Sequence, residues 1–403
     1  LVGDRGRFAG VASLDLTGMT GLIALDPVSL TATFGAGTRG PDAERELAAR
    51  GLTIGHYPQS FEFASLGGYA ATRSSGQSSC GNGRFDALVV GLRVATPVGE
   101  LRAGLAPASA AGPDLRELFL GGEGALGVIT EVTVQVRARL AEPSYEGWTF
   151  PSFADGATAM RALVQAGLRP SVLRLSDETE TFVNLATLPA GDGDPVTGAL
   201  MIVGYETPVA LAAREPVTAA LRESGGTLLA GSHGAAWVAG RFAAPYLRDS
   251  LLDVGVLTET LETATFWSNW PRLYQSVAAA LRRELGEEDA VVMCHISHVY
   301  ETGCSLYYTV AVREQGDPIA QWRRAKAAAS DAIAASGGTI THHHGVGRDH
   351  LPWYAREIGP VGVTILRAVK QAVDPDGILN PGVLIPAEPP AAARPEPEGW
   401  GTT

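Results

Sequence analysis

The hydrophobic pattern changes character about a third of the way along the chain. Up to about residue 142 the apolar positions fall into short β-branched runs at 22–25, 89–96 and 128–136, each bounded by turn residues, and these read as strands. Leu14, Asp15 and Leu16 read as a further strand. Residues 41–50 form a helix with proline in the first turn and Gly51 as its stop, and 114–119 a shorter one. From about Pro143 alanine-rich helices at 157–166, 211–223, 242–252, 271–285, 317–335 and 361–373 repeat their apolar residues at spacings of three and four. Strands at 172–175, 199–205, 290–299 and 305–310 lie between them. That alternation is an α+β layer in two similar passes, a second domain beside the first. Glu301, Thr302 and Gly303 turn the chain between the last two strands, so Tyr307 and Tyr308 face opposite sides and only one of them looks into a site.

Three stretches do not follow either period. Residues 58–84, PQSFEFASLGGYAATRSSGQSSCGNGR, read as a long loop with Phe61, Phe63 and Leu66 as buried punctuation. Loops of that length are functional or disordered, and the apolar anchors favour function over a solvated linker. Free backbone N–H groups, hydroxyls and the cation of Arg73 suit a pyrophosphate or similar ligand. In GGEGALG, at 121–127, the glycines follow a helix and lead into a strand, the reverse of the dinucleotide fingerprint, which disfavours a Rossmann site. Glycine backbone there still admits a flat cofactor closely. The third stretch is THHHGVG at 341–347, with three of the eight histidines side by side. In extended backbone His342 and His344 share one side and His343 takes the other. Imidazoles titrating at about pH 6.5 exchange protons readily at neutrality. A polar turn or an adventitious metal site are the plainer readings, but the flanking glycines imply a backbone held close to something else.

At 403 residues the chain exceeds a single typical core, and with 45% hydrophobic and 18% charged residues it can bury two. The formal charge of -12 excludes nucleic acid as an expected partner and leaves any anionic ligand to a few local arginines. Cys80, Cys294 and Cys304 are too few and scattered for a disulfide framework or zinc site, so no metal is expected and a reducing, cytoplasmic location is. Cys294 and Cys304 are placed to oppose each other across a hairpin, although that compartment argues against a bond. No stretch approaches the roughly 18 apolar residues of a membrane span. The chain opens on Leu1 and reads as beginning inside a domain; 386–403 has the composition of a disordered tail.

The segments PQSFEFASLGGYAATRSSGQ, GGEGALGVITEV, SHVYETGCSLYYTV and ITHHHGVGRDH, closing with VDPDGILNPGVL, together resemble the FAD-dependent alkyldihydroxyacetonephosphate synthases, a branch of the vanillyl-alcohol-oxidase flavoprotein superfamily. The similarity runs over about 13–385. GGEGALGVIT and ILNPG belong to the superfamily at large, whereas the triple histidine, the Tyr307 strand and TRSSG point to the synthase branch. The resemblance implies a two-domain α+β fold. Residues 1–140 would be an FAD-binding domain of the PCMH type, N-terminally truncated because the glycine-rich pyrophosphate loop has no counterpart. Residues 141–385 would be an α+β substrate or cap domain whose last part, 336–385, returns to the flavin.

The family's flavin contacts match Gln59, Ser60, Phe61, Glu62, Phe63, Ala64 and Ser65, then Thr72, Arg73, Ser74 and Ser75, then Glu123, Gly124, Ala125, Leu126, Gly127, Val128 and Ile129. Its catalytic tyrosine matches Tyr307 and its active-site histidines match His342, His343 and His344. The arginine that binds the substrate phosphate matches Arg248, and a second active-site arginine matches Arg174. The implied reaction exchanges the acyl group of acyl-dihydroxyacetone phosphate for a fatty alcohol, with FAD as cofactor and no net redox change, giving an ether-lipid precursor. Lipid substrates would bring the protein to a membrane surface, although no basic amphipathic helix stands out, and a homodimer is a candidate assembly.

Physical chemistry makes these roles coherent. A phenol titrating at about 10 takes a proton at neutral pH only if a neighbouring base accepts its own, which the histidines offer. The planar guanidiniums of Arg248 and Arg174 suit phosphate or carboxylate, the alternative for each being a structural ion pair. For Tyr307 the alternative is a packed sheet residue with Tyr308 on the site face. Two other functions stay open: an FAD-linked oxidase or dehydrogenase of a 2-hydroxy acid such as D-lactate or glycolate, and a cofactor-free scaffold.

Overall fold

Strands with one apolar face must bury it against a second layer, and this chain does so with two antiparallel sheets. The computed structural model describes residues 10–187 and 196–386. The first part supplies β1 (Leu22–Asp26), β2 (Thr31–Gly35), β3 (Leu52–Thr53), β4 (Val89–Thr96), β5 (Gly99–Ala103), β6 (Val128–Gln135) and β7 (Arg137–Ala138). Five of these form a sheet in the order β1-β2-β6-β4-β5, and β3 pairs with β7. Phe34, Leu92, Val94, Val132 and Val134 pack there against Leu47 of the helix Gly40–Ala48 and Leu66 and Tyr69 of the helix Leu66–Thr72.

The second part supplies β8 (Ser144–Phe150), β9 (Val172–Ser176), β10 (Ala199–Tyr205), β11 (Thr227–Leu228), β12 (Val256–Phe266), β13 (Val291–Ile296) and β14 (Gly303–Arg313). They form a seven-stranded sheet in the order β11-β8-β10-β9-β13-β14-β12. Trp148, Leu175, Met201, Tyr308 and Val310 join side chains of the helices Phe153–Gln165, Trp270–Leu285 and Pro318–Ala335 in its core. Each such fully buried aliphatic or aromatic side chain contributes roughly 1.5–3 kcal/mol, which fixes the register of the strands and hence of their opposite face. On that opposite face Glu262, Tyr307 and His295 stand side by side across β12, β14 and β13. The molecule is thus an α+β protein built on two sheets.

Several sequence expectations change. Leu14, Asp15 and Leu16 are not a strand: the Asp15 carboxylate accepts from the Thr17 N–H, Leu14 is exposed, and no strand among the described residues pairs with them. The 58–84 segment is partly helical, because Ser65 caps the helix Leu66–Thr72 by accepting from the Gly68 N–H. The 211–223 helix is two, Pro208–Ala212 and Arg214–Glu223, broken where Pro216 offers no N–H to the preceding turn. The last helix runs from Leu351 to Val373, kinked at Gly359 (φ 68°) and Pro360. Cys294 lies opposite Tyr308 and Cys304 opposite Thr265, so the two cysteines do not face each other, and both are free. The β12 strand was not anticipated at all. The 387–403 tail lies outside the described residues. Among the described residues no helix is long and apolar enough to cross a membrane.

After the kink the chain comes back to the first sheet. Lys370 Nζ donates to the Ala125 carbonyl at 2.7 Å, and Val369, Val373 and Ile385 pack against the first core.

Candidate active site

The 341–347 loop has no ladder to satisfy its N–H groups, so acceptors must come from elsewhere. Glu262 provides them. Its buried carboxylate accepts from the backbone N–H of His342 at 2.8 Å, His343 at 3.1 Å and His344 at 2.9 Å, and from the Thr341 hydroxyl at 2.6 Å. Glu123, from the glycine-rich turn before β6, accepts from the N–H of Val346 at 2.6 Å and of Gly347 at 2.8 Å. Gly345 sits between the two anchors at φ 83°, where a Cβ would stand 3.0 Å from a Glu123 oxygen. The histidine loop is therefore slung between a carboxylate of the first half and one of the second. Burial alone would raise the Glu262 pKa, but the imidazoles of His343, His344 and His342 and the Thr341 hydroxyl hold it well below the usual carboxylate range.

The imidazoles form a stacked group. His342 Nδ1 lies 3.1 Å from His343 Nδ1, and His342 Nε2 lies 2.6 Å from the Tyr300 hydroxyl. His298 stacks on His342 with ring centres 5.1 Å apart and meets His343 edge-on, its Nδ1 held 2.7 Å from Ser79 Oγ. Burial lowers the pKa of all three, that of His343 to about 4, so they stand as neutral bases at physiological pH. Each offers a ring nitrogen within 4.8 Å of the others.

Tyr307 faces this group, and Tyr308 points into the core with its hydroxyl 3.3 Å from the Tyr274 carbonyl. The Tyr307 ring stacks on His295 (4.7 Å, 15°), lies nearly parallel to His343 (6.0 Å, 22°) and takes His344 edge-on (5.4 Å, 90°). Burial raises its pKa, against the effect of the nearby Thr260 hydroxyl, and keeps the phenol protonated at neutral pH. Behind it the Arg174 guanidinium lies 3.0 and 3.2 Å from the His295 ring nitrogens and donates to Glu180 at 3.0 Å. Burial opposes ionisation of Glu180, yet His295 and Arg174 bring its pKa down to about 2.

A 360 Å³ cavity opens beside Thr260, His344, Glu123, Asn380, Lys326 and Arg348. A second, of 170 Å³, is lined jointly by Thr72, Arg73, Gly121 and Glu123 and by His342 and His343. Ser75 Oγ and His56 Nδ1 are buried without a hydrogen-bond partner, and nothing but Asn380, at 3.8 Å, approaches the position a Cβ on Gly124 would take. The unpartnered Ser75 and His56 atoms and the open backbone at Gly124 each fit the flavin that the family resemblance implies.

The structure does not bring every expected residue together. Arg248, in the helix Ala244–Asp253, is paired with Glu259 and Asp249, and none of its contacts reaches the histidines. Arg73, read as a cation for pyrophosphate, has that charge engaged by Asp86 at 3.0 Å and Glu117 at 2.6 Å, so it holds the loop and is not free for a ligand. The 59–65 segment meets 241–246 instead of the histidines. Gln59 donates to the Arg241 carbonyl, Phe61 stacks on Phe242, and the Tyr246 hydroxyl donates to Glu62. Ser60 opens a turn, Phe63 is exposed and Ala64 packs on the first core. Ser74 Oγ bonds His56 Nε2 at 3.1 Å, and Leu126 and Gly127 lead into β6, which Val128 and Ile129 open. Glu262, His295, His298, Tyr300 and Thr260 escaped the sequence reading. His298 and Tyr300 stood within the SHVY segment, and the alternation of threonines around Glu262 was a strand signal.

Comparison with known proteins gives two family matches, a FAD binding domain over residues 1–104 and the C-terminal domain of FAD linked oxidases over 141–384. The chain is 32% identical over 398 residues to an alkyldihydroxyacetonephosphate synthase of Dictyostelium discoideum, covering 93% of this chain and 65% of that protein. It is 30% identical to the one of Trypanosoma brucei brucei, covering 96% and 67%. It therefore spans about two thirds of the length of these relatives. A solved alkyldihydroxyacetonephosphate synthase superposes with a TM-score of 0.75 at 29% identity, covering 91% of this chain and 67% of that one. A more distant similarity, 27% over 346 residues, 80% of this chain and 57% of the relative, is to a mitochondrial D-lactate dehydrogenase of Arabidopsis thaliana.

Proposed function

The chain belongs to the FAD-linked oxidases, enzymes of the PCMH-type flavoprotein fold whose cofactor is FAD, and from that premise we propose that it exchanges the acyl group of acyl-dihydroxyacetone phosphate for a long-chain alcohol. The observation that carries this reading is Tyr307, a protonated phenol packed between the neutral rings of His295 and His343 and edge-on to His344, which with Thr260 lines a cavity. An exchange without net redox change needs a proton removed from the substrate carbon and later returned, and a phenol beside buried bases is suited to both.

FAD, when bound, supplies an electron-accepting ring against which that carbon is activated. Gln59 to Ser65, Thr72 to Ser75 and Glu123 to Ile129 are the proposed contacts, Arg73 through its backbone because its guanidinium is engaged by Asp86 and Glu117, and they are supported by the unpartnered Ser75 hydroxyl and the open backbone at Gly124. Tyr307 exchanges the substrate proton, His343 and His344 hold the phenol's own proton in the interval, and His342 orients His343. Arg174 takes the phosphate, supported by its position against His295, while Arg248 would have to leave Glu259 to contribute. We divide the chain at about residue 140 into flavin and substrate domains, with 336–385 returning to the flavin, as the Lys370 contact supports.

Oxidation of a 2-hydroxy acid is the second reading, favoured by the similarity to D-lactate dehydrogenase. One assay separates them. Flavin-loaded protein is supplied with acyl-dihydroxyacetone phosphate and hexadecanol in one cuvette and with D-lactate or glycolate in another. Ether product with the flavin oxidised at the end is the expected result; bleaching by hydroxy acid with no ether formed refutes it.

A further inference from the structure

Tyr300 lies on the opposite side of the histidine pair from Tyr307, in the turn that follows β13. Its hydroxyl is 2.6 Å from His342 Nε2, and His342 Nδ1 is 3.1 Å from His343 Nδ1, whose ring lies nearly parallel to Tyr307. Two Nδ1 atoms so close repel unless one of them carries a hydrogen directed at the other. The two rings therefore share one proton, and whichever ring lacks it at Nδ1 carries its own at Nε2.

We propose that Tyr300 is a second phenol of the active site and that Tyr300, His342 and His343 form a proton wire leading away from Tyr307; this rests on the proton exchange assigned above to Tyr307. The bookkeeping closes with neutral rings at both ends of the step. Before transfer His343 holds its hydrogen on Nδ1, directed at His342 Nδ1, while His342 Nε2–H donates to the Tyr300 oxygen. A proton arriving at His343 Nε2 moves the Nδ1 hydrogen to His342 Nδ1. The His342 Nε2 hydrogen moves to the Tyr300 oxygen, and the original phenol proton passes to the oxygen of the adjoining Ser75 hydroxyl, whose own hydrogen goes on to solvent; Arg84, also adjacent, has no acceptor to take it. The reverse sequence returns a proton to the substrate side. Nothing is oxidised or reduced, and each ring, like the Tyr300 oxygen, gives up one hydrogen as it gains one.

The surroundings suit a wire of neutral groups. Glu262 grips the backbone of the histidine loop and its carboxylate lies 3.5 Å from His343 Nδ1. His298 covers His342 and is itself fixed by Ser79. Arg84 and Asp86 lie beside Tyr300, His344 and His295 beside His343, and burial keeps the four imidazoles His295, His298, His342 and His343 uncharged. A cation stranded along the path would stop it; neutral rings do not.

The test is Tyr300→Phe, read in two ways on the flavin-loaded protein. With histidine labelled by 15N, removing the hydroxyl changes the tautomer of His342 and, through the shared proton, of His343, while His350, hydrogen-bonded to the Gly345 carbonyl, stays as it was. An unchanged His343 signal overturns the wire whether or not the protein turns over any substrate. In the exchange assay kcat falls about tenfold or more with KM nearly unchanged, because the loss lies in proton transfer and not in binding. Unchanged kcat likewise overturns it. If the unmodified protein makes no ether, the functional reading has failed, and the 15N result alone decides the wire. Should the variant not fold, a bowed dependence of the unmodified enzyme's rate on the deuterium fraction of the solvent reports more than one proton in flight, and a linear one refutes the relay.

Discussion

Tyr307 keeps its proton at neutral pH because burial penalises the phenolate, so chemistry through it depends on a base at its face. His343, lowered to about 4, is that base in its neutral form. Tyr307→Phe is expected to cut turnover by about 10²–10⁴-fold while leaving the flavin absorption spectrum intact; undiminished turnover would move the proton exchange to another residue. Glu262→Gln tests the loop's anchor. The amide replaces an acceptor oxygen with a second donor facing N–H groups, so stability should fall by about 1–3 kcal/mol and activity with it. A denaturation midpoint equal to that of the parent would show that the carboxylate is dispensable. At this scale the sequence was readable where chemistry-bearing residues crowd together, as in 341–347, and opaque where a functional carboxylate sits in a run of polar neighbours. Glu262, in VLTETLETATF, looks like a solvated residue until the register with Tyr307 is known.

Among elements, the helices of the second part were legible because their apolar spacing is strong, and β12 was missed because its threonines and glutamates hide a buried strand. The period of two was there, but a strand whose polar side chains are buried by a loop from elsewhere in the chain has no solvent-facing signature. Similarly, a helix of seven residues capped by Ser65 is too short for periodicity to announce, and only the cap marks it. The loop between Thr341 and Gly347 behaves as an element with two fastenings. Glu123→Ala removes one and should speed amide hydrogen exchange at Val346 and Gly347, leaving His342, His343 and His344 amides protected by Glu262. Equal acceleration at all five amides would mean that the loop opens as one unit and that the two anchors are not independent.

For the whole molecule, buried neutral histidines set the response to acid. His56 is lowered to about 3 and His343 to about 4, in both cases mainly by burial, and His342 and His298 are lowered as well. In the unfolded chain these rings take up protons as pH falls through about 6.5, whereas in the folded chain His343 takes one up only near 4, His56 only near 3, and His342 and His298 only well below their ordinary value. Between those values the unfolded state binds more protons, so stability is complete above the upper limit and is lost as pH drops toward the lower. The melting temperature should fall steeply between about pH 6.5 and 4, and His343→Gln should flatten part of that slope; a level profile would contradict the burial of these rings. Two-sheet architecture was visible in the sequence as the change of pattern near residue 142. The seam between the parts was not, since Arg241, bonded to Gln77 and Glu206 and packed on Tyr57, shows no periodicity and no motif.

The double fastening of the histidine loop has an evolutionary and practical consequence. Because Glu123 and Glu262 come from opposite parts of the molecule, neither part carries a finished reaction centre by itself. A chimaera that grafts a foreign second half onto this first one inherits the triplet but must also match an acidic side chain at the far side of the joint. Shuffling such enzymes for new substrates should therefore move both glutamates with the loop, as one indivisible cassette.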